Sequence, residues 1–298
     1  MACEQVIISL DQPDFGEGAS MLITLTGLFL LCLQCRELTT FFSNVKQAQL
    51  LRTDLWSGVL RLIGKFRFSG KSIANDILQK YGFDDDLVRI FTENKGPVVH
   101  KWHHYIPIYD RYFSKFRGTG FRFLEIGVSK GGSLQMWREY FGQDAKITGI
   151  DIDPECAQFD GQSGNVRIGS QDDPEFLASV IQEMGGVDVV LDDGSHHMDH
   201  VRASLDTLFP LLSSPGLYMI EDLHTAYWKD YGGGPVANSN FFRTLGGMID
   251  DLHGWTHDEP PQVPSTNGMA TAFHVHDSIA VIEKGIAHQP VHSRVGKR

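Results

Sequence analysis

The sequence predicts an α/β fold: a doubly wound, mainly parallel sheet with helices on both faces, a C-terminal antiparallel hairpin, and an N-terminal helical region ahead of it. Three observations predict it. From residue 121 onward, short apolar runs alternate with stretches of helical periodicity, the order that buries a parallel sheet between helices. Runs such as VDVVL and LYMI are continuously apolar, as strands covered on both faces must be. Finally, two alternating runs separated by His276-Asp277 read as a hairpin at 270–275 and 278–283.

Taken in order, the chain of 298 residues opens with a region, 1–95, that lacks strand-like alternation. Within it, 39–65 and 72–91 space their apolar residues as amphipathic helices do, for example Leu51, Leu55, Val59 and Leu62. The run MLITLTGLFLLCL, 21–33, is shorter than the roughly 20 apolar residues of a spanning helix. Acidic residues, with no Lys or Arg, precede it, unlike an export signal. A buried or partner-facing helix, without stable membrane insertion, and a cytoplasmic location are therefore expected. The second region, 96–298, begins with the aromatic and histidine-rich HKWHHYIPIYDRYF, 100–113. Strands are expected at 121–128, 146–152, 165–169, 187–193 and 216–222, and helices at 133–141, 174–184, 197–212 and near 238–252. Two Gly/Pro-rich stretches, 229–240 and 256–268, have the length of binding loops or lids.

Composition narrows the function. The net charge of −11 disfavours a surface built to neutralise nucleic-acid phosphates, so no nucleic-acid partner is expected. Four cysteines, at 3, 32, 35 and 156, are too few and uneven for a disulfide scaffold. A single C-x-x-C inside an apolar run makes neither a redox motif nor a zinc site.

Candidate chemistry lies at the carboxyl ends of the expected strands, where open α/β sheets bind ligands. The first strand ends in Glu125-Ile-Gly127-Val-Ser129-Lys-Gly131-Gly132-Ser133 and leads into a helix whose first N–H groups are free for a ligand. The second ends at Asp151, placed to accept hydrogen bonds from a ribose diol. A dinucleotide-binding turn would read G-x-G-x-x-G to approach a pyrophosphate, and this turn does not. The looser turn suits S-adenosylmethionine, which has no pyrophosphate. The third strand ends in Gly169-Ser170-Gln171-Asp172-Asp173-Pro174, a turn that offers polar groups to an adenine edge and equally an N-cap to the next helix.

Strands four and five end in Asp192-Asp193-Gly194-Ser195-His196 and Glu221-Asp222-Leu223-His224. If the two are neighbours, Asp193, Glu221 and Asp222 converge. Three carboxylates at one point require a cation, and hard oxygen donors suit Mg²⁺ or a similar divalent ion. His196 follows Asp193 by three residues and is the candidate general base. His196 and His200 have the i, i+4 spacing of a zinc pair but lack a third matching ligand.

With these residues in view, FLEIGVSKGGSLQMW, GIDIDP, VVLDDGSHHMDH, TLFPLL and GLYMIEDLHTAYW resemble the metal-dependent sugar O-methyltransferases of macrolide biosynthesis, over about residues 96–284. The resemblance implies a Rossmann-like class I methyltransferase sheet, S-adenosylmethionine and Mg²⁺ as cofactors, and a hydroxyl of a glycosylated small molecule as acceptor. It implies that Asp193, Glu221 and Asp222 hold the metal and that His196 is the catalytic base. Glu125, Gly127 and Asp151 match cofactor positions, and Ser129, Gly131, Ser170 and Gln171 complete that candidate set. His104, Tyr105, Tyr109 and His224 fall on the substrate side. A homo-oligomer is compatible with the resemblance. GSQDD departs from the expected third-strand turn, and the first 95 residues match no auxiliary domain. The rival readings are a nicotinamide-dependent dehydrogenase, a non-catalytic binding module on the same fold, and an RNA methyltransferase.

Overall fold

A computed structural model describes residues 66–259, 263, 266 and 268–297. The apolar run 21–33, the helical expectation at 39–65 and Cys3, Cys32 and Cys35 lie outside them. The chain divides into two compact units, Met1–Phe68 and Ser69–Arg298, and the second carries everything that follows.

In chain order the elements are α1 (Ile73–Tyr81), α2 (Asp86–Thr92), α3 (Tyr105–Phe113), β1 (Arg122–Ile126), α4 (Gly132–Phe141), β2 (Lys146–Asp151), β3 (Asn165–Ile168), α5 (Pro174–Met184), β4 (Val187–Asp192), α6 (Met198–Leu211), β5 (Leu212–Ile220), α7 (Phe241–Leu252), β6 (Ala270–His276) and β7 (Ile279–Lys284). The strands form one seven-stranded sheet in the order β3-β2-β1-β4-β5-β7-β6. The first five are parallel to their neighbours, whereas β7 runs antiparallel between β5 and β6. This is the predicted mainly parallel sheet with its C-terminal hairpin. The strand order reverses between β1 and β4, paired from Phe123↔Val189 to Ile126↔Asp192. A crevice opens at such a switch point, beyond the carboxyl ends of the strands.

Successive side chains of β1 point to opposite faces, and the two faces differ. Phe123 joins an aromatic core with Trp137, Phe113, Phe141 and Tyr109. Leu124 and Ile126 join an aliphatic core with Leu177, Val190, Leu205 and Ile220. Ile77, Leu87, Val88 and Ile90 belong to the aromatic core. The compact unit that begins at Ser69 therefore includes α1 and α2. The helical expectation at 72–91 becomes two helices because Gly82 ends α1 in the left-handed region (φ 65) and Asp85 caps α2. At the start of α5, Asp173 accepts hydrogen bonds from the N–H groups of Glu175 and Phe176, as its place before Pro174 predicts. Among the described residues no helix is long and apolar enough to cross a membrane.

Candidate active site

The segment between α2 and α3 lies across the carboxyl end of the sheet. A Cβ on Gly132, at the start of α4, would come within 2.5 Å of the carbonyl oxygens of Pro97 and Val98. Further along, Lys101 reaches Asp193 and Glu221, His104 Nε2 lies 3.2 Å from the Asp277 carbonyl, and the Tyr105 hydroxyl donates to Asp222 Oδ1 at 2.6 Å. One irregular strap thus touches α4, the ends of β4 and β5, and the β6–β7 turn.

At the ends of β1, β2 and β3 the predicted cofactor residues are largely committed to the protein itself. Glu125 is fully buried and accepts from Ser133 Oγ (2.9 Å) and Trp137 Nε1 (3.0 Å). Burial pushes its carboxyl up to about 7, against the charge of nearby Lys101. Asp151 Oδ2 accepts the N–H groups of Val128 and Ser129, and its Oδ1 accepts that of Asp153, so it fixes the β1–α4 turn. That turn carries Ser129 at φ 50 and Gly131 at φ 77. Gly127 (φ 98) has a steric reason to be glycine, since a Cβ there would lie 2.1 Å from the Asp193 carbonyl oxygen. Gln171 is buried, with Nε2 directed to Asp192 and Oε1 accepting the Ser195 N–H. Ser170 donates to Asp172. What remains for a ligand is the start of α4, where Gly131 caps the helix with no side-chain hydrogen bond and leaves first-turn N–H groups to another acceptor. Beneath the turn, Cys156 is buried and its thiol is pushed up to about 12, chiefly by burial.

The ends of β4 and β5 are arranged differently. Asp193 gives Oδ2 to Lys101 and turns Oδ1 toward His196 Nε2, 3.9 Å away. Asp222 gives Oδ1 to Tyr105 and turns Oδ2 toward the same nitrogen, 3.7 Å away. Each carboxylate therefore has one oxygen held by a protein donor and one converging on the imidazole. Donor atoms of Asp193, His196 and Asp222 lie within 4.8 Å of one another. Burial would raise the Asp222 carboxyl, but the charges of His196 and His224 and the Tyr105 hydrogen bond hold it below the usual range. His196 and Asp222 both adopt left-handed backbone, φ 58 and 55. Such strain in non-glycine residues persists where surrounding structure enforces it. Here Thr225 Oγ1 ties the two together, bonding to the carbonyl oxygens of both His196 and Asp222.

Glu221 stands apart from this convergence. It is buried, and both its oxygens accept from Lys101 Nζ, at 3.1 and 3.0 Å. Beside it the Tyr109 hydroxyl is buried against the Glu221 carboxylate. His224 lies 4.0 Å from Asp222 Oδ1, with its ring edge-on to Trp102 and Trp228. His200 turns away to Ser195 Oγ and Asp172, so it shares no site with His196. The donor set fits a divalent ion: the hard carboxylate oxygens of Asp193 and Asp222 turn toward one point at the ends of neighbouring strands, with Glu221 beside them. A groove of about 900 Å³ lined by Arg89, Asn94, Lys95, Gln135 and Glu139 includes none of these residues.

Sequence reasoning missed Lys101. It lies within the quoted HKWHHYIPIYDRYF, but its partners are 92 and 120 residues away, and no local spacing signals such a contact. The aromatic chain from Trp102 through His224 and Trp228 to Tyr231 was equally invisible.

Residues 124–223 match the family described as "Methyltransferase domain". Among curated proteins, the chain is 37% identical over 212 residues to the 8-demethyl-8-(2-methoxy-alpha-L-rhamnosyl)-tetracenomycin-C 3'-O-methyltransferase of Streptomyces olivaceus, covering 67% of this chain and 54% of that protein. It is 37% identical to the demethylmacrocin O-methyltransferase of Streptomyces fradiae, covering 67% and 53%, and 35% identical to the mycinamicin VI 2''-O-methyltransferase of Micromonospora griseorubida, covering 67% and 53%. The chain thus spans about half the length of the curated relatives it matches. A mycinamycin-pathway methyltransferase solved with Mg, S-adenosylhomocysteine and mycinamycin VI superposes with a TM-score of 0.58 at 33% identity, covering 73% of this chain and 54% of that one. The described unit therefore has a Rossmann-like class I methyltransferase fold, and the chain resembles the sugar O-methyltransferases of macrolide and related natural-product pathways.

Proposed function

We propose that this chain transfers a methyl group from S-adenosylmethionine to a hydroxyl, on the sugar of a glycosylated small molecule, with the help of a divalent metal ion. One observation carries the proposal. Asp193 Oδ1 and Asp222 Oδ2 face His196 Nε2 at 3.9 and 3.7 Å, at the switch point of the sheet beside the β1–α4 turn. The relatives' names supply the acceptor class.

Asp193 and Asp222 would hold the ion, with Glu221 as a further carboxylate ligand. When bound, S-adenosylmethionine supplies an electrophilic methyl on a sulfonium, and the ion supplies positive charge that acidifies the acceptor hydroxyl. The first-turn N–H groups of α4 and the turn pinned by Asp151 bind and orient the donor. His196 takes the hydroxyl proton on Nε2. The strap bearing His104 and Tyr105, together with His224, walls the acceptor side and limits water. Tyr105 does so while locking Asp222 in place. Positioning of donor and acceptor accounts for the remaining acceleration.

The test is methyl transfer from S-adenosylmethionine to a panel of glycosylated macrolides and aromatic polyketides, with Mg²⁺ or with chelator. Turnover on at least one glycosylated acceptor, abolished by chelator and absent with its aglycone, is expected. Turnover on the aglycone alone, or full activity in chelator, overturns the acceptor or the metal assignment respectively.

A further inference from the structure

Lys101 is the most deeply enclosed cation near the site, its side chain only 3% exposed. Its ammonium lies 2.5 Å from Asp193 Oδ2 and 3.1 and 3.0 Å from the two oxygens of Glu221. A lysine ammonium has three protons to donate, and here three acceptors take them. The Tyr109 ring, with its centroid 5.7 Å away, closes another side. Burial works to lower the lysine's proton affinity, but the charges of Asp193, Glu221 and Glu125 outweigh it and the group is held charged. Glu221, 1% exposed, has no other cation against it among the described residues. A buried carboxylate left unpaired is strongly disfavoured, so this lysine keeps the acidic pair in place.

The same ammonium stands where a divalent ion would draw on Asp193 and Glu221. Two cations on one pair of carboxylates repel strongly in a buried setting. Lys101 is carried by the irregular strap between α2 and α3, not by a helix or strand, so it can withdraw without breaking a regular element. Resting on the metal-assisted reading above, we propose that Lys101 is a positioning residue that stands in for the ion. It neutralises and aligns Asp193 and Glu221 while the site is metal-free, and it cedes Glu221 when the ion enters.

Mn²⁺ binding, followed by electron paramagnetic resonance without cofactor or acceptor, tests this in the wild type and Lys101→Met, with thermal unfolding of both in chelator and in Mn²⁺. The methionine variant should bind Mn²⁺ about tenfold or more tightly than the wild type, because the ion no longer competes with an ammonium. It should unfold at lower temperature in chelator and regain most of that loss in Mn²⁺, which should move the wild type far less. An affinity no higher than wild type, or a stability loss that Mn²⁺ does not repair, would show a plain structural ion pair and overturn the proposal. If the methionine variant fails to fold, Lys101→Gln, whose amide retains a hydrogen bond to Glu221, is read by the same two measurements. If no protein binds Mn²⁺ while all bind S-adenosylhomocysteine by calorimetry, the metal reading itself falls, and this inference with it.

Discussion

At the carboxyl ends of β1 and β2 the acidic side chains face the protein. Glu125 is enclosed by Ser133 and Trp137, and Asp151 holds three backbone N–H groups. At the ends of β4 and β5 the acids are only half committed. Asp193 and Asp222 each keep one oxygen directed at His196, on a backbone strained at His196 and Asp222. The same residue type therefore builds a scaffold on one side of the switch point and a reactive surface on the other. On the first side the groups available to a ligand are backbone N–H groups; on the second they are side-chain atoms. Substitutions should separate accordingly, with losses of stability on the first side and losses of turnover on the second.

The largest effect is expected at His196. His196→Ala should lower methyl transfer by about 100- to 10,000-fold, the usual contribution of a positioned general base. Calorimetric S-adenosylhomocysteine binding should be unchanged, and near-normal turnover would remove His196 from the base role. On the scaffold side, Gly127→Ala forces a Cβ to 2.1 Å from the Asp193 carbonyl at a φ of 98. Strain and overpacking together should cost about 4 kcal/mol or more in urea unfolding. A loss below about 1 kcal/mol would mean that the two strand ends separate easily, and the comparison would lose its rigid side.

Glu125 gives a pH-dependent test. Its folded pKa, about 7, lies above the ordinary 4.5, so the folded state binds the proton more tightly than the unfolded state. Its stabilising contribution is complete below about 4.5 and is lost as pH rises through about 7. Glu125→Gln cannot titrate, so relative to wild type it should gain stability across that window, by up to roughly 3 kcal/mol on the alkaline side. Denaturant unfolding of both proteins at a series of pH values reads this directly, and parallel profiles would contradict it. The smallest effect is expected at a helix cap: Asp173→Ala removes the cap of α5 and should cost about 1 kcal/mol in unfolding free energy.

The sheet was legible because its signals are local. Strand burial on both faces, the helix caps and the β6–β7 alternation are all written within a few residues. The site was legible as far as it follows from that sheet, since Asp193 and Glu221-Asp222 end neighbouring parallel strands. What escaped is set by contacts between distant segments. Whether Glu125 faces a ligand or Trp137 depends on the alternation of a single strand against α4. Gln171 reads as a ligand-binding loop residue, yet it turns inward because Ser195 offers its N–H there. Nothing near Lys101 announces Asp193 and Glu221, and nothing in the helical pattern of α1 and α2 announces that they share the core of the sheet.

A crystal structure grown with Mg²⁺ and S-adenosylhomocysteine examines the division between the two strand-end regions most directly. It should place the ion on the carboxylates of Asp193 and Asp222, and the nucleoside against the β1–α4 turn, with Glu125 still enclosed by Ser133 and Trp137. An ion bound away from both aspartates, or Glu125 turned out onto the ligand, would contradict the account.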